Sequence, residues 1–309
     1  MADEYHAPVL LNEVLKFWFT RTDCVYVDAT IGGGGHSEAL LQNLDSNGIL
    51  IGIDADESAI EYSRKRLSQF VQQVQLKQGN YSNIANMLRE KNLSAIDGIL
   101  FDLGVSSHQL DDPSKGFSFR FDTKLDMRMD RRQPLTAYNV LNEYSEVELA
   151  DIFIKYGEER FSRRIAAAIV KERTKQPINT TSTLRQIIEK VVGQRFIVKS
   201  LARIFQALRI EVNKELESLR AGLTSAIANL NIGGRIVVIS YHSLEDKIVK
   251  DIFRQYSGIT SSKRDIYGNK MVKVILKILT KKVVLPQPSK IMLNPRARSA
   301  KLRAAEKIG

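Results

Sequence analysis

The chain has 309 residues, with 46 Lys plus Arg against 35 Asp plus Glu, for a formal net charge of +11. Apolar residues at 43% and charged residues at 26% are ordinary for a globular protein and exclude wholesale disorder. One Cys excludes a disulfide framework, and four His without close pairing predict no metal site. The opening Met1-Ala2-Asp3-Glu4 carries no basic leader signal, and no apolar run reaches the ~20 residues that span a bilayer. The expectation is a soluble, cytoplasmic protein with no membrane partner.

Residues 24–28 (CVYVD) predict a short buried strand that runs into a Gly-rich turn, Ile31-Gly32-Gly33-Gly34-Gly35-His36. A helical pattern follows over 37–44, a strand over 49–54 (ILIGID) and a helix over 57–70. Residues 74–77, 82–91 and 96–103 continue as strand, helix, strand. Alternation at this spacing implies βαβ units, a parallel sheet and right-handed crossovers. The rhythm stops after Asp102, and 108–134 reads as a long ordered loop. Ser145-Glu146-Val147-Glu148 is a capping box that starts a helix. Further helices are expected over 158–174 and 182–192. Apolar residues from Leu201 to Leu230 recur at three- and four-residue steps, so one long helix or a pair should end at Gly233-Gly234. Residues 235–240 (RIVVIS) predict a fifth strand, and 272–280 a late antiparallel one.

Residues 281–309 hold eight Lys or Arg and one acid, so seven of the eleven net charges fall there. Pro286, Pro288 and Pro295 should keep the first half extended. A mobile basic arm that tracks a phosphate backbone is the expectation.

The Gly-rich turn lets a ligand approach the backbone, because no Cβ stands in the way. Asp54 closes the second strand, where a carboxylate accepts ribose hydroxyls. Together they ask for a nucleoside-bearing cofactor. A P-loop is excluded, since no Lys precedes Ser37. Both a nicotinamide dinucleotide and S-adenosylmethionine stay open on these residues. Asp102-Leu103-Gly104-Val105-Ser106-Ser107 places a carboxylate and two hydroxyls above the sheet, where an oxygen would orient an exocyclic amine. His242 follows the fifth strand at the same sheet edge as a candidate substrate contact. The catalytic candidates are therefore Asp102, Ser106 and His242.

The ordered motifs resemble the ribosomal RNA small-subunit methyltransferase H family. They include His6-Ala7-Pro8-Val9-Leu10-Leu11, Asp28-Ala29-Thr30 with Gly33-Gly34-Gly35-His36-Ser37, and the Asp102 motif itself. Leu125-Asp126-Met127-Arg128-Met129-Asp130, Phe205-Gln206-Ala207-Leu208-Arg209-Ile210 and Ser240-Tyr241-His242-Ser243-Leu244-Glu245-Asp246 continue the series, which closes on Asn294-Pro295-Arg296-Ala297-Arg298-Ser299. The resemblance implies methylation of N4 of a decoding-centre cytosine in 16S ribosomal RNA, within the small ribosomal subunit. It implies S-adenosylmethionine as cofactor, held by Gly34, Gly35, His36, Asp54, Tyr81, Asp102 and Gln109. Tyr81 replaces a common Phe and should keep an aromatic wall against the adenine.

The expected fold is α/β: a Rossmann-like, doubly wound class I methyltransferase domain over 1–107 and 213–309. An inserted all-helical substrate-recognition domain should occupy 108–212. A dehydrogenase or a non-catalytic RNA-binding module is the competing expectation, and monomer and homodimer both stay open. Methylation at ring carbon C5 would need a Cys thiolate, and the only thiol is Cys24 in an apolar strand.

Overall fold

The computed structural model describes residues 8–259 and 273–309. His6 and Ala7 of the N-terminal motif, and Val272 at the start of the expected last strand, lie outside them. The chain divides into two compact units, one formed by Met1–Gly104 with Leu216–Gly309 and the other by Val105–Glu215.

The first unit opens with α1 (Leu11–Trp18), then β1 (Val25–Asp28), α2 (Gly35–Leu41), β2 (Ile49–Asp54), α3 (Glu57–Arg66), β3 (Val74–Gln78), α4 (Ile84–Glu90) and β4 (Ile96–Asp102). The second unit holds α5 (Ser107–Asp111), α6 (Ala137–Glu143), α7 (Glu146–Lys155), α8 (Ser162–Arg173), α9 (Thr181–Val192) and α10 (Ile197–Asn213). The chain returns through α11 (Glu215–Asn229), β5 (Leu230–Ser240), α12 (Ser243–Tyr256), β6 (Leu276–Ile278), α13 (Pro288–Leu293) and β7 (Lys301–Lys307).

Seven strands form one sheet in the order β3-β2-β1-β4-β5-β7-β6. The first five run parallel, and β7 is antiparallel to both β5 and β6. The chain reverses strand order between β1 and β4, which is where such sheets open a crevice at their carboxyl ends. Two-residue alternation splits the apolar strand residues between two cores. Ile99, Phe101, Ile236 and Val238 face one core with Leu219, Leu223 and Ile227 of α11. Leu100, Val237 and Ile239 face the other with Val14 and Trp18 of α1. Each of these fully buried side chains contributes about 1.5–3 kcal/mol.

Three sequence expectations are corrected here. Gly233 and Gly234 do not stop a helix. Leu230 already pairs with Ile96, the register then shifts before Gly98, and Gly233 at φ +83° makes the kink inside β5. The supposed loop over 108–134 contains α5 and a further helical turn over Pro113–Lys115. Ser106 and Gln109 form the capping box that starts α5, a signal present in the sequence but passed over.

The basic C-terminal segment is no mobile arm in its last part. Lys301–Lys307 is β7, an interior strand. Arg303 makes a bidentate pair with Asp246 (2.7 and 3.1 Å), and Lys307 donates to the carbonyls of Ala228 and Leu230 (3.0 and 2.7 Å). Pro288 opens the short helix α13 instead of extending the chain.

In the second unit, the capping box at Ser145 starts α7 as expected. The Leu125–Asp130 motif is scaffolding. Arg128 grips both oxygens of Asp126 (2.8 and 3.0 Å) and the carbonyl of Gln133 (2.8 Å). Asn213, ending α10, accepts from Met129 N–H and donates to Met127 C=O, both at 2.8 Å.

Truncation before Lys290 should therefore remove β7 and leave β5 and β6 without their shared partner. The expected result is loss of a cooperative thermal transition together with loss of cofactor binding. A truncated chain that melts like the full protein would contradict this assignment of the sheet.

Candidate active site

The Gly-rich turn is tied down from both sides. Asp28, buried at the end of β1, accepts from Ser37 Oγ (2.7 Å) and from Thr30 N–H (3.2 Å). Burial pushes its carboxyl up to about 6 in spite of those bonds. Gly32 and Gly34 take positive φ (+49° and +74°), which glycine alone adopts without strain. A Cβ at Gly32 would meet only Thr30 O at 3.8 Å, so this edge of the turn is open to a ligand.

Asp54, closing β2, accepts from Gly32 N–H at 2.9 Å with one oxygen and from Asp56 N–H at 2.9 Å with the other. Its carboxylate is thus oriented by the turn it faces. Gly34 N–H is used by Ile31 O at 2.7 Å. Ser63 of α3 holds Gly32 O at 2.7 Å, and Arg66 reaches Gly33 O at 3.2 Å while paired with Glu38 at 2.8 Å.

Asp102 ends β4 beside this turn. Its N–H donates to Thr30 Oγ1 (2.7 Å), and its Oδ1 accepts from Tyr241 O–H (2.9 Å). Oδ2 lies 3.7 Å from His36 Nδ1. His36 Nε2 sits 2.9 Å from Val9 O, and a carbonyl only accepts, so Nε2 carries a proton. Burial lowers the imidazole pKa. His36 is therefore neutral, with the bare Nδ1 facing Asp102. Burial raises the Asp102 carboxyl to about 7, against the Tyr241 hydrogen bond and with help from the Glu245 charge. Its side chain keeps 24% of its surface exposed, enough for a substrate to touch. Tyr241 is held well above its ordinary pKa by burial and by Asp102, and so stays a donor.

Tyr81 stands edge-on to Phe101, with ring centroids 5.4 Å apart. Gly222 of α11 makes room for the ring, since a Cβ there would lie 2.7 Å from Tyr81 Cδ2. His242 caps α12. Its Nδ1 accepts from Glu245 N–H (3.4 Å), and its Nε2 lies 3.1 Å from Glu245 Oε1. The cap uses Nδ1, while the buried Nε2 makes no hydrogen bond.

Gly34, Gly35, His36, Asp54, Asp102 and Tyr241 thus gather at the carboxyl ends of β1, β2, β4 and β5. Ser106 and Gln109 belong to the second unit, where Ser106 Oγ accepts from Gln109 N–H and Gln109 Oε1 accepts from Ser106 N–H (3.2 and 3.0 Å). The His36 imidazole is turned to Val9 and Asp102. Thr30, Tyr241 and Gly222 were passed over in the sequence reading. The first two lie inside motifs quoted there, and their place next to strand ends was the available signal.

These residues discriminate between the two cofactors left open. The turn amides of Gly32 and Gly34 already have acceptors, one of them the Asp54 carboxylate, and Asp28 and Asp102 add buried acids nearby. A dianionic pyrophosphate would meet carboxylates where it needs N–H donors. A cationic sulfonium with a ribose and no phosphate fits the same donor set.

Sheet order and site together define a Rossmann-like methyltransferase domain. The model of the MraW methylase family matches residues 3–308, and the chain belongs to that family. It is 44% identical to "Ribosomal RNA small subunit methyltransferase H" of Fusobacterium nucleatum over 100% of this chain and 98% of that one. The proteins of the same name from Carboxydothermus hydrogenoformans (48%) and Caldicellulosiruptor saccharolyticus (47%) match over 98% of this chain, and over 98% and 99% of their own lengths. The chain is a methyltransferase, and its methyl donor is S-adenosylmethionine.

Two outcomes follow from this geometry. A raised folded-state pKa means that Asp102 favours the native state when protonated, and that this stability is lost as pH rises from about 4 to about 7. Asp102→Asn keeps an acceptor for Tyr241 and removes the buried charge. Its unfolding free energy should match the wild type near pH 4 and exceed it near pH 8, by on the order of a few kcal/mol. Equal melting curves at both pH values would refute the shift. Gly222→Ala should push the Tyr81 ring from its seat and weaken S-adenosylhomocysteine binding several-fold in calorimetry, even though Ala gains about 1 kcal/mol of helix propensity.

Proposed function

We propose that the chain methylates the exocyclic N4 of a cytosine in the decoding centre of 16S ribosomal RNA, in the cytoplasm and within the small ribosomal subunit. The relatives named above support ribosomal RNA as the substrate. The observation that carries the choice of nitrogen is the Asp102 carboxylate, held by the Tyr241 hydroxyl on a backbone tied to Thr30, and backed by the bare Nδ1 of His36.

Gly34, Gly35, His36, Asp54, Tyr81, Asp102 and Gln109 would hold the methyl donor. Asp54 would receive the ribose hydroxyls, and Tyr81 would face the adenine. When bound, S-adenosylmethionine supplies an electrophilic methyl group on sulfonium. The target base must leave its stack to reach the crevice, and the helical unit Val105–Glu215 is assigned to bind the RNA.

Asp102 is assigned to accept an N4–H of the amine, which aligns the nitrogen lone pair and accounts for much of the rate through orientation. As nitrogen becomes positive, the carboxylate stabilises the charge and takes the proton. A carboxyl near 7 is a far stronger base than one near 3.8, and about half of it is ionised at neutral pH. The new Oδ2–H would then point at His36 Nδ1, which a small side-chain rotation brings into hydrogen-bond range. Ser106 is a secondary polar contact to the base, and His242 serves through its cap of α12, which fixes Tyr241.

Carbon methylation is disfavoured by position as well as by count. Cys24 precedes β1 at the end opposite Asp28, buried, with its thiol pushed up by burial. A catalytic thiolate needs the reverse. Four residues of strand separate it from the turn, about 13 Å at ~3.3 Å each.

Cys24→Ser should accordingly keep most activity, whereas Asp102→Ala should lose roughly 10²–10⁴-fold at saturating donor. Mass spectrometry of the product nucleoside decides the atom. A methyl found on C5, or a folded but inactive Cys24→Ser, would overturn the assignment.

A further inference from the structure

The second unit carries a cationic and aromatic patch that no catalytic role uses. Phe161 and Phe196 are the residues that precede α8 and α10, and their rings pack together at 5.8 Å. Arg160 lies over both rings, 5.1 Å from the centroid of Phe161 and 4.5 Å from that of Phe196. Arg164 lies over Phe161 at 5.6 Å, and Arg195 over Phe196 at 5.4 Å. All three arginines are exposed, as are Arg163 and Lys199 at the edge of the patch.

Stability alone does not explain this arrangement. Among the described residues no carboxylate pairs with any of these five cations. Arg163 and Arg164 occupy the first turn of α8, and Lys199 that of α10. A positive charge there opposes the helix dipole, where an acid would contribute about 0.3–1 kcal/mol. Neither helix has a side-chain cap or an acid in its first turn. Stacking on the rings compensates in part and fixes the guanidinium planes. The result is a set of guanidinium groups without a paired acid, gathered at the N-terminal ends of two helices, with Arg164 also donating to Val191 O at 3.1 Å.

We propose that this patch binds the phosphate backbone of the RNA substrate. Guanidinium forks match phosphate oxygens bidentately, and fixed side chains lose less entropy on binding than free ones. The partly exposed rims of Phe161 and Phe196 offer stacking to an unpaired base of the same strand. The inference rests on the reading of ribosomal RNA as substrate and adds to it where the strand is held.

The test uses the full-length protein, with a fluorescein-labelled single-stranded RNA oligomer followed by anisotropy over a KCl series. The double variant R160Q/R195Q should lower the slope of log K against log salt by about 1.4, two phosphates at about 0.7 each. R160K/R195K keeps the charge and should hold the slope near the wild-type value. R89Q/K91Q, at the exposed C-terminal end of α4, should leave it unchanged. Calorimetry with S-adenosylhomocysteine and the melting temperature should match the wild type in all three, which separates the effect from misfolding.

An unaltered slope in R160Q/R195Q, with wild-type protein that still methylates small subunits, overturns the patch and leaves the substrate reading standing. A wild-type protein that methylates no RNA fails the substrate reading itself. Preference for phosphatidylglycerol vesicles over the RNA, lost in the same variant, would assign the patch to a lipid surface and also overturn the proposal.

Discussion

Two carboxyl groups at neighbouring strand ends, Asp28 and Asp102, set the conditions for everything around them. β1 and β4 pair directly, with Asp28 opposite Leu100, so both acids lie at one edge of the sheet. If both ionised in a buried site without compensation, each would lose its hydration and the two would repel each other. The surrounding residues read as the answer to that problem. Ser37 and Thr30 N–H satisfy the first acid and Tyr241 the second, while Thr30 Oγ1 ties the backbone of β4 to the turn after β1. The same threonine thus serves both strand ends, and the Gly-rich turn owes its shape to these bonds as much as to its glycines.

The strained electrostatics are also what make the site selective. A crevice ringed by acids, with its turn amides already engaged, rejects anions and favours a ligand that carries positive charge. It also leaves Asp102 a stronger base than any surface aspartate. Natural sites commonly hold such conflicts in place by over-determined surroundings. Here the surroundings are two packed cores and the hydrogen bonds of four strand ends.

Much of this was legible in the sequence. Strand–helix alternation up to Asp102 gave the parallel sheet, because two-residue and 3.6-residue periodicities are local properties. The Gly-rich turn, Asp54 and Asp102 were visible as residue types at strand ends. What escaped needed knowledge of three-dimensional neighbours. Nothing local says that Tyr241 reaches Asp102 across 139 positions of chain, or that Gly222 stands behind Tyr81. The charge-rich C-terminus misled because composition reports solvation and not pairing. Its Arg303 and Lys307 are matched to Asp246 and to backbone carbonyls from distant segments. The arginines at the start of α8 and α10 are the converse case, since they break a local rule and have no paired acid that restores it.

The interior place of β7 also bears on how the molecule meets its own copies. The strand hydrogen-bonds to β5 on one side and to β6 on the other. Wherever β7 opens locally, β5 presents a row of unpaired N–H and C=O groups, a template for a strand from another chain. A foreign strand seated there would lie against the strand that leads to Tyr241 and its bond to Asp102. The pairing that completes the sheet is thus also its guard against edge-to-edge aggregation.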